Sequence, residues 1–63
     1  MRNTIRVERA KLDISQQQLA EMVNVSRQTI YSIERGKKLP SVELAIKIAL
    51  VFKVPVEEIF LIK

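Results

Sequence analysis

The sequence predicts an all-α fold, a compact domain of short helices. Three observations carry that expectation. Apolar residues recur at helical spacing, and strict alternation is rare although β-branched residues are common. Serines stand just ahead of three apolar-periodic stretches, at Ser15, Ser26 and Ser41, where a helix N-cap belongs. Strong breakers are few: one glycine and two prolines, each at the edge of such a stretch.

The first segment places Ile5, Arg9 and Leu12 at i, i+4 and i+7, one helical face. Thr4 to Glu8 also alternates like a short strand, but the spacing favours a helix from about Thr4 to Lys11, broken at Leu12 and Asp13. The second segment opens with a capping box, Ser15 with Gln18 three residues on. Ile14 before the cap and Leu19 inside form a hydrophobic staple. Leu19, Met22 and Val23 are expected to supply its buried face. Asn24, tolerant of a left-handed backbone, ends it.

The third segment repeats the design, with Ser26 as cap and Val25 and Ile30 as staple. Gly36 stops it, and Lys37, Lys38, Leu39 and Pro40 follow as a basic loop. The fourth starts at the Ser41 cap, carries Glu43 in its first turn and runs to about Phe52. The last, Val56 to about Phe60, is one short turn, with Pro55 at its first-turn position and Glu57 and Glu58 at its N-terminus. Leu61, Ile62 and Lys63 form an apolar-leaning tail.

Composition narrows the function. Sixty-three residues make a single domain, 1–63, with a small core. Cysteine and histidine are both absent, which removes disulfides, thiolate or imidazole metal sites and a histidine base. No metal or cofactor is expected. An enzyme is a poor fit: Glu57 and Glu58 suit the helix dipole, there is no Gly-rich phosphate loop, and a core this small leaves no ligand-sized cavity. A small-molecule ligand is therefore not expected either. The apolar fraction of 48% is spread along the chain, so the segment is not disordered. No apolar run is long enough for a membrane span, and the N-terminus has no signal-peptide pattern. A cytoplasmic protein is the expectation. The net charge of +4 favours an anionic partner, weakly at that size.

The third segment places that charge. At about 100° per residue from Arg27, Ile30 and Ile33 fall near 300° and 240°. Arg27, Gln28, Tyr31, Ser32 and Arg35 occupy roughly 0° to 140°. This polar face lacks the Glu/Lys alternation of an ordinary solvated helix. Arg can donate twice to guanine O6 and N7, and Gln can exchange two bonds with adenine. Ser26, Arg27 and Gln28 lie at the helix N-terminus, the end that enters a major groove. Gln16 opens the preceding helix in an equivalent place. The triplet Arg27-Gln28-Thr29 alone would be read as a solvated face. The concordant frame around it, with Leu19, Ala20, Val23, Asn24, Val25, Ile30 and Ile33, favours a DNA-reading unit.

The stretch resembles the helix–turn–helix domain of lambda-repressor and Cro-type transcriptional regulators, the XRE family. The matching residues are Ser15-Gln16, Leu19-Ala20, Val25 to Ile30, Ile33 to Lys37 and Pro40-Ser41. Leu44-Ala45, Ile48-Ala49 and Glu58-Ile59-Phe60 continue the match over essentially the whole chain. The resemblance implies a compact five-helix domain that binds double-stranded DNA. It implies that Gln16 and Ser26 hold phosphates, that Arg27, Gln28 and Ser32 face base edges, and that Tyr31 meets a sugar or thymine methyl. It also implies that Arg9 reaches Glu34 in a partly buried ion pair. An intrahelical surface pair is the plainer alternative for Glu34. Two departures stand out: Asn24 replaces the commoner turn glycine, and Pro55 stands where a Ser or Thr cap is usual.

Arg35, Lys37 and Lys38 follow the reading helix and are expected, with Thr29, to join the phosphate contacts. A solvated loop is the alternative for the lysines. The fourth segment carries two apolar stripes. Leu44, Ala45, Ile48, Val51 and Phe52 suit the core; Val42, Ile46 and Leu50 are surplus. With Phe60, Leu61 and Ile62 that surplus predicts a homodimer interface, unless the tail folds back over it. The leading functional expectation is a dimeric DNA-binding regulator, a repressor on a palindromic operator. The alternative is an antitoxin-like or protein-interaction module using the same fold with a protein partner.

Overall fold

The computed structural model describes residues 2–61. Five helices follow in order: α1 (Ile5–Leu12), α2 (Gln16–Met22), α3 (Arg27–Glu34), α4 (Val42–Phe52) and α5 (Val56–Ile59). Two-residue strands β1 (Arg2–Asn3) and β2 (Phe60–Leu61) pair antiparallel, Arg2 with Leu61 and Asn3 with Phe60. The fold is the expected helical one, with a terminal ribbon added.

Local chemistry accounts for most boundaries. At α2 the capping box closes: Ser15 Oγ accepts from Gln18 N at 3.0 Å, and Gln18 Oε1 accepts from Ser15 N at 2.8 Å. Ser26 and Ser41 cap α3 and α4 through the N–H of Thr29 and Leu44. The stops are left-handed residues: Asp13, Asn24, Gly36 and Lys53, at φ 56°, 62°, 74° and 59°. Only Gly36 takes that conformation without a Cβ clash. Its N–H donates to Ile33 O, and that of Lys37 to Ser32 O, closing the carbonyl end of α3.

One apolar core joins every helix. Ile5, Leu19, Ile30, Ile33, Ile48 and Ile59 are fully buried, and Ala20, Val23, Leu44, Ala45, Ala49, Phe52 and Phe60 complete it. The staple residues Ile14 and Val25 pack on it half-buried. Burying each large side chain contributes about 1.5–3 kcal/mol before entropy is charged against it.

Several expectations are corrected. The first helix starts at Ile5 and ends at Leu12, one residue later at each end than expected. Leu12 is 48% exposed, because it overhangs the core where Asp13 turns the chain away. Met22 is 56% exposed. The buried arc of α2 runs through Leu19, Val23 and Ala20, spanning about 100°, and Met22 lies some 60° outside it. Pro55 is the N-cap of α5, not its first helical residue. Phe60 leaves the helix for β2 and is 5% exposed. It fills the chain's own core and is withdrawn from the expected dimer surface. Ile62 lies outside the described residues.

Candidate nucleic-acid interface

The angle between α2 and α3 is set by side chains that exclude water. Leu19, Ala20, Ile30 and Ile33 have no exposure and Val23 2%. Ala20 carries only a methyl group where the two helices meet, so a bulkier residue would force them apart. The turn between them closes with Val25 N donating to Ala20 O at 2.9 Å.

With Ile30 and Ile33 sealed inside, α3 presents its other face outward. Arg27, Gln28 and Tyr31 are exposed, and Thr29 and Ser32 are half-buried. Ser26 Oγ serves the cap and lies 3.0 Å from Thr29 Oγ1, so both hydroxyls face the start of α3. At the other end Arg35 is exposed, with its guanidinium carbon 5.6 Å from the Tyr31 ring centroid. That spacing suits a cation–π contact and limits the wandering of the Arg35 head. Lys37 and Lys38 extend the exposed basic strip beyond it.

A polar chain fixes this face from below. Arg9 Nε donates to Glu34 Oε2 at 2.6 Å, and Arg9 Nη2 to Glu34 Oε1 at 3.1 Å. The two side chains are 16% and 7% exposed. A bidentate, partly desolvated pair between α1 and α3 is therefore present, and the plainer alternative of an intrahelical surface pair for Glu34 is set aside. Arg9 Nη1 also donates to Ile14 O at 3.0 Å, tying in the residue before the α2 cap. Gln16 Nε2 donates to Glu34 Oε1 at 3.3 Å, while Gln16 Oε1 accepts from Arg27 Nη1 at 3.4 Å. Gln16 and Arg27, expected at a phosphate and a base edge, thus stand side by side at the start of the two helices.

Two residues without an assigned role in the sequence join this arrangement. Asn3 Nδ2 donates to Ile33 O at 2.8 Å, an end carbonyl of α3. Arg6 lines a cleft with Arg9, Gln16, Tyr31, Glu34 and Arg35. The spacing of Arg6 from Arg9, i and i+3, was the available signal, since it puts both on one helical face.

The second stripe of α4 is open to solvent: Val42 is 78% exposed, Ile46 48% and Leu50 70%. Beta strand β2 turns the end of the described chain toward β1, so those residues do not fold back over the stripe. Leu61 is 42% exposed. An open groove of about 360 Å³ runs beside the stripe between α4 and α5, lined by Ile46, Ala49, Leu50, Val54 and Val56 among others. Among the described residues no helix is long and apolar enough to cross a membrane.

Comparison with known proteins agrees with the geometry. A family model described as helix-turn-helix matches residues 5–59. An uncharacterized HTH-type transcriptional regulator of Archaeoglobus fulgidus is 48% identical over 61 residues, covering 97% of this chain and 86% of its own. A protein of the same description from Methanocaldococcus jannaschii is also 48% identical over 61 residues, covering 97% and 92%. A third, from Bacillus subtilis, is 42% identical over 60 residues, covering 95% and 91%. With the capped α2–turn–α3 unit and its buried seam in place, the chain belongs to the helix-turn-helix family, in its lambda-repressor and Cro-type (XRE) branch.

Proposed function

We propose that the protein is a sequence-specific double-stranded DNA-binding transcriptional regulator, a repressor that occupies a palindromic operator as a homodimer. One observation carries the reading. Helix α3 is split into a sealed apolar face and an exposed Arg-Gln-Tyr face that leads directly into a basic loop. Arg27, Gln28, Tyr31 and Ser32 meet base edges in the major groove. Gln16, Ser26, Thr29, Arg35, Lys37 and Lys38 hold the flanking phosphates. The relatives named as HTH-type transcriptional regulators support the same reading. The chain acts as one DNA-binding domain in the cytoplasm, with no cofactor or small ligand and no catalytic role.

Size supports the dimer. The described chain measures 28 × 21 × 19 Å. Two half-sites one helical turn apart are roughly 34 Å from centre to centre. A single copy falls short of both, and its one reading helix covers few base pairs. The exposed stripe Val42, Ile46 and Leu50, with Leu61, is the surface on which a second copy fits.

Selection from random duplexes tests the function. The expected result is an enriched palindrome with half-sites about one turn apart. Failure to enrich any sequence would overturn specific recognition. Sedimentation at micromolar concentration tests assembly. A clean monomer would remove the dimer and leave the stripe to a different protein, as in the antitoxin-like alternative.

A further inference from the structure

The exposed stripe of α4 has two unlike halves. At about 100° per residue, Ala49, Leu50 and Lys53 project within about 60° of Ile46. The groove between α4 and α5 is therefore the C-terminal half of the stripe, lined by buried Ala49 and half-buried Val54 and Val56, with Lys53 at its side. Beyond the N-terminal half stands a further apolar side chain, Leu39, 68% exposed and three residues ahead of Val42. Pro40 restricts Leu39 to an extended backbone, so it reaches past the end of α4 instead of adding a turn to it. The charges differ as well. Glu43, with its side chain 78% exposed, flanks the N-terminal half. Lys53, three residues beyond Leu50, has no carboxylate within ion-pair distance among the described residues. One half is a knob beside an acid; the other is a hole beside a base.

We infer that a second copy of this chain seats its Leu39 in the α4–α5 groove, with the two α4 helices antiparallel about a two-fold axis at Ile46. This rests on the homodimer reading above and gives it an orientation. The spacing i, i+4, i+8 is symmetric about Ile46, so such an axis sets Val42 opposite the partner's Leu50. Three residues further out on each side, Leu39 comes level with the partner's Lys53, at the groove. Glu43 then faces the partner's Ala49, one turn from the partner's Lys53, so opposite charges meet. A two-fold axis running along α4 does the reverse. It sets Glu43 against Glu43 and Lys53 against Lys53, and it leaves both leucines and both grooves in water. Rim charges of this kind choose orientation more than they add affinity. Leu39 follows Lys38 directly, so seating it also ties the basic strip of one copy to the body of the other.

The chain has no cysteine, so introduced thiols report contacts cleanly. Leu39→Cys and Val56→Cys are prepared separately, mixed and exposed to a mild oxidant. The mixture should give a covalent heterodimer, and Leu39→Cys alone should give little, because a disulfide needs Cα atoms within about 7 Å. The dissociation constant of Leu39→Ala is measured by sedimentation. The axis removes the contact twice, roughly ten-fold for each groove, so the constant should rise about a hundred-fold. Leu39 is exposed in the single chain, so the variant keeps its helices, which circular dichroism checks. If wild type dimerises, either an unchanged constant for Leu39→Ala or a mixture that fails to cross-link overturns the groove contact and leaves the homodimer reading intact. Wild type that stays monomeric overturns both and leaves the groove to a different protein.

Discussion

Asn3 Nδ2 donates to the carbonyl of Ile33 at 2.8 Å, joining the N-terminal strand to the C-terminal end of the reading helix. The same side chain accepts from Ile5 N through Oδ1 at 3.2 Å, so one amide caps the first turn of α1 and adds a second donor to a carbonyl that Gly36 N already serves at the end of α3. Its backbone pairs with Phe60, and the next residue, Thr4, donates its N–H to Ile59 O at 2.8 Å. Both ends of the described chain are thereby anchored behind α3.

Asn3→Ala should therefore destabilise the protein although it removes no apolar contact. The Ile5 N–H loses its acceptor and the Ile33 carbonyl keeps only the Gly36 N–H, at a cost of about 1–3 kcal/mol in total. Urea denaturation measures it. A midpoint equal to wild type would mean that water replaces the amide freely at both ends.

The Arg9–Glu34 pair should behave unlike the pair on α4. Glu43 and Lys47 lie 3.0 Å apart at i, i+4, with side chains 78% and 45% exposed. Glu43→Ala is expected to cost less than about 0.5 kcal/mol. Glu34→Ala leaves the Arg9 guanidinium desolvated without its anion and takes the Gln16 bond with it, so about 3 kcal/mol is expected. Denaturation of the two variants side by side is the measurement. Similar losses from both would show that the Arg9–Glu34 pair is effectively solvated.

How far these features can be read from residues alone depends on how local their causes are. The caps at Ser15, Ser26 and Ser41 and the stops at Asn24 and Gly36 act within a few residues, so they are written in the sequence. The buried seam of α2 and α3 follows from helical period and was legible for the same reason, except at Met22, which sits just off the arc. The Arg9–Glu34 pair spans 25 residues, and family resemblance, not spacing, suggested it. Other features are tertiary and leave no local mark. Strands of two residues carry no periodicity, so the β1–β2 ribbon is invisible in the sequence and Phe60 reads there as a surface residue. Lys53 takes a left-handed backbone that costs about 1–2 kcal/mol for a residue with a Cβ, imposed by the route from α4 to α5. Arg6 gains its place only when α1 docks beside α3.

Base reading and phosphate holding predict different responses in binding assays. Gln28→Ala should weaken the cognate duplex by about 1–3 kcal/mol and relax preference at one base pair, with random DNA little affected. Lys38→Ala should weaken all duplexes alike and make the salt slope shallower by about 0.9. Both side chains are exposed, so neither change should alter the melt. Equal losses on cognate and random DNA for Gln28→Ala would remove it from the base-reading set. An unchanged slope for Lys38→Ala would leave that lysine merely solvated.

The last prediction separates an apolar residue that serves assembly from one that serves the core. Leu50 is 70% exposed on the open stripe of α4, whereas Phe60 is 5% exposed in β2, paired beside β1. Leu50→Glu places a charge where a second copy would bury it, while costing the isolated chain almost no packing. Sedimentation should show a shift toward monomer, and denaturation of that monomer should remain cooperative. Phe60→Ala should do the reverse: the core loses a large aromatic group at a cost of about 3–5 kcal/mol, enough to unfold much of a chain this short. Its defect should therefore appear in circular dichroism even at dilutions where no dimer forms. An unchanged association constant for Leu50→Glu would exclude the α4 stripe as the dimer surface.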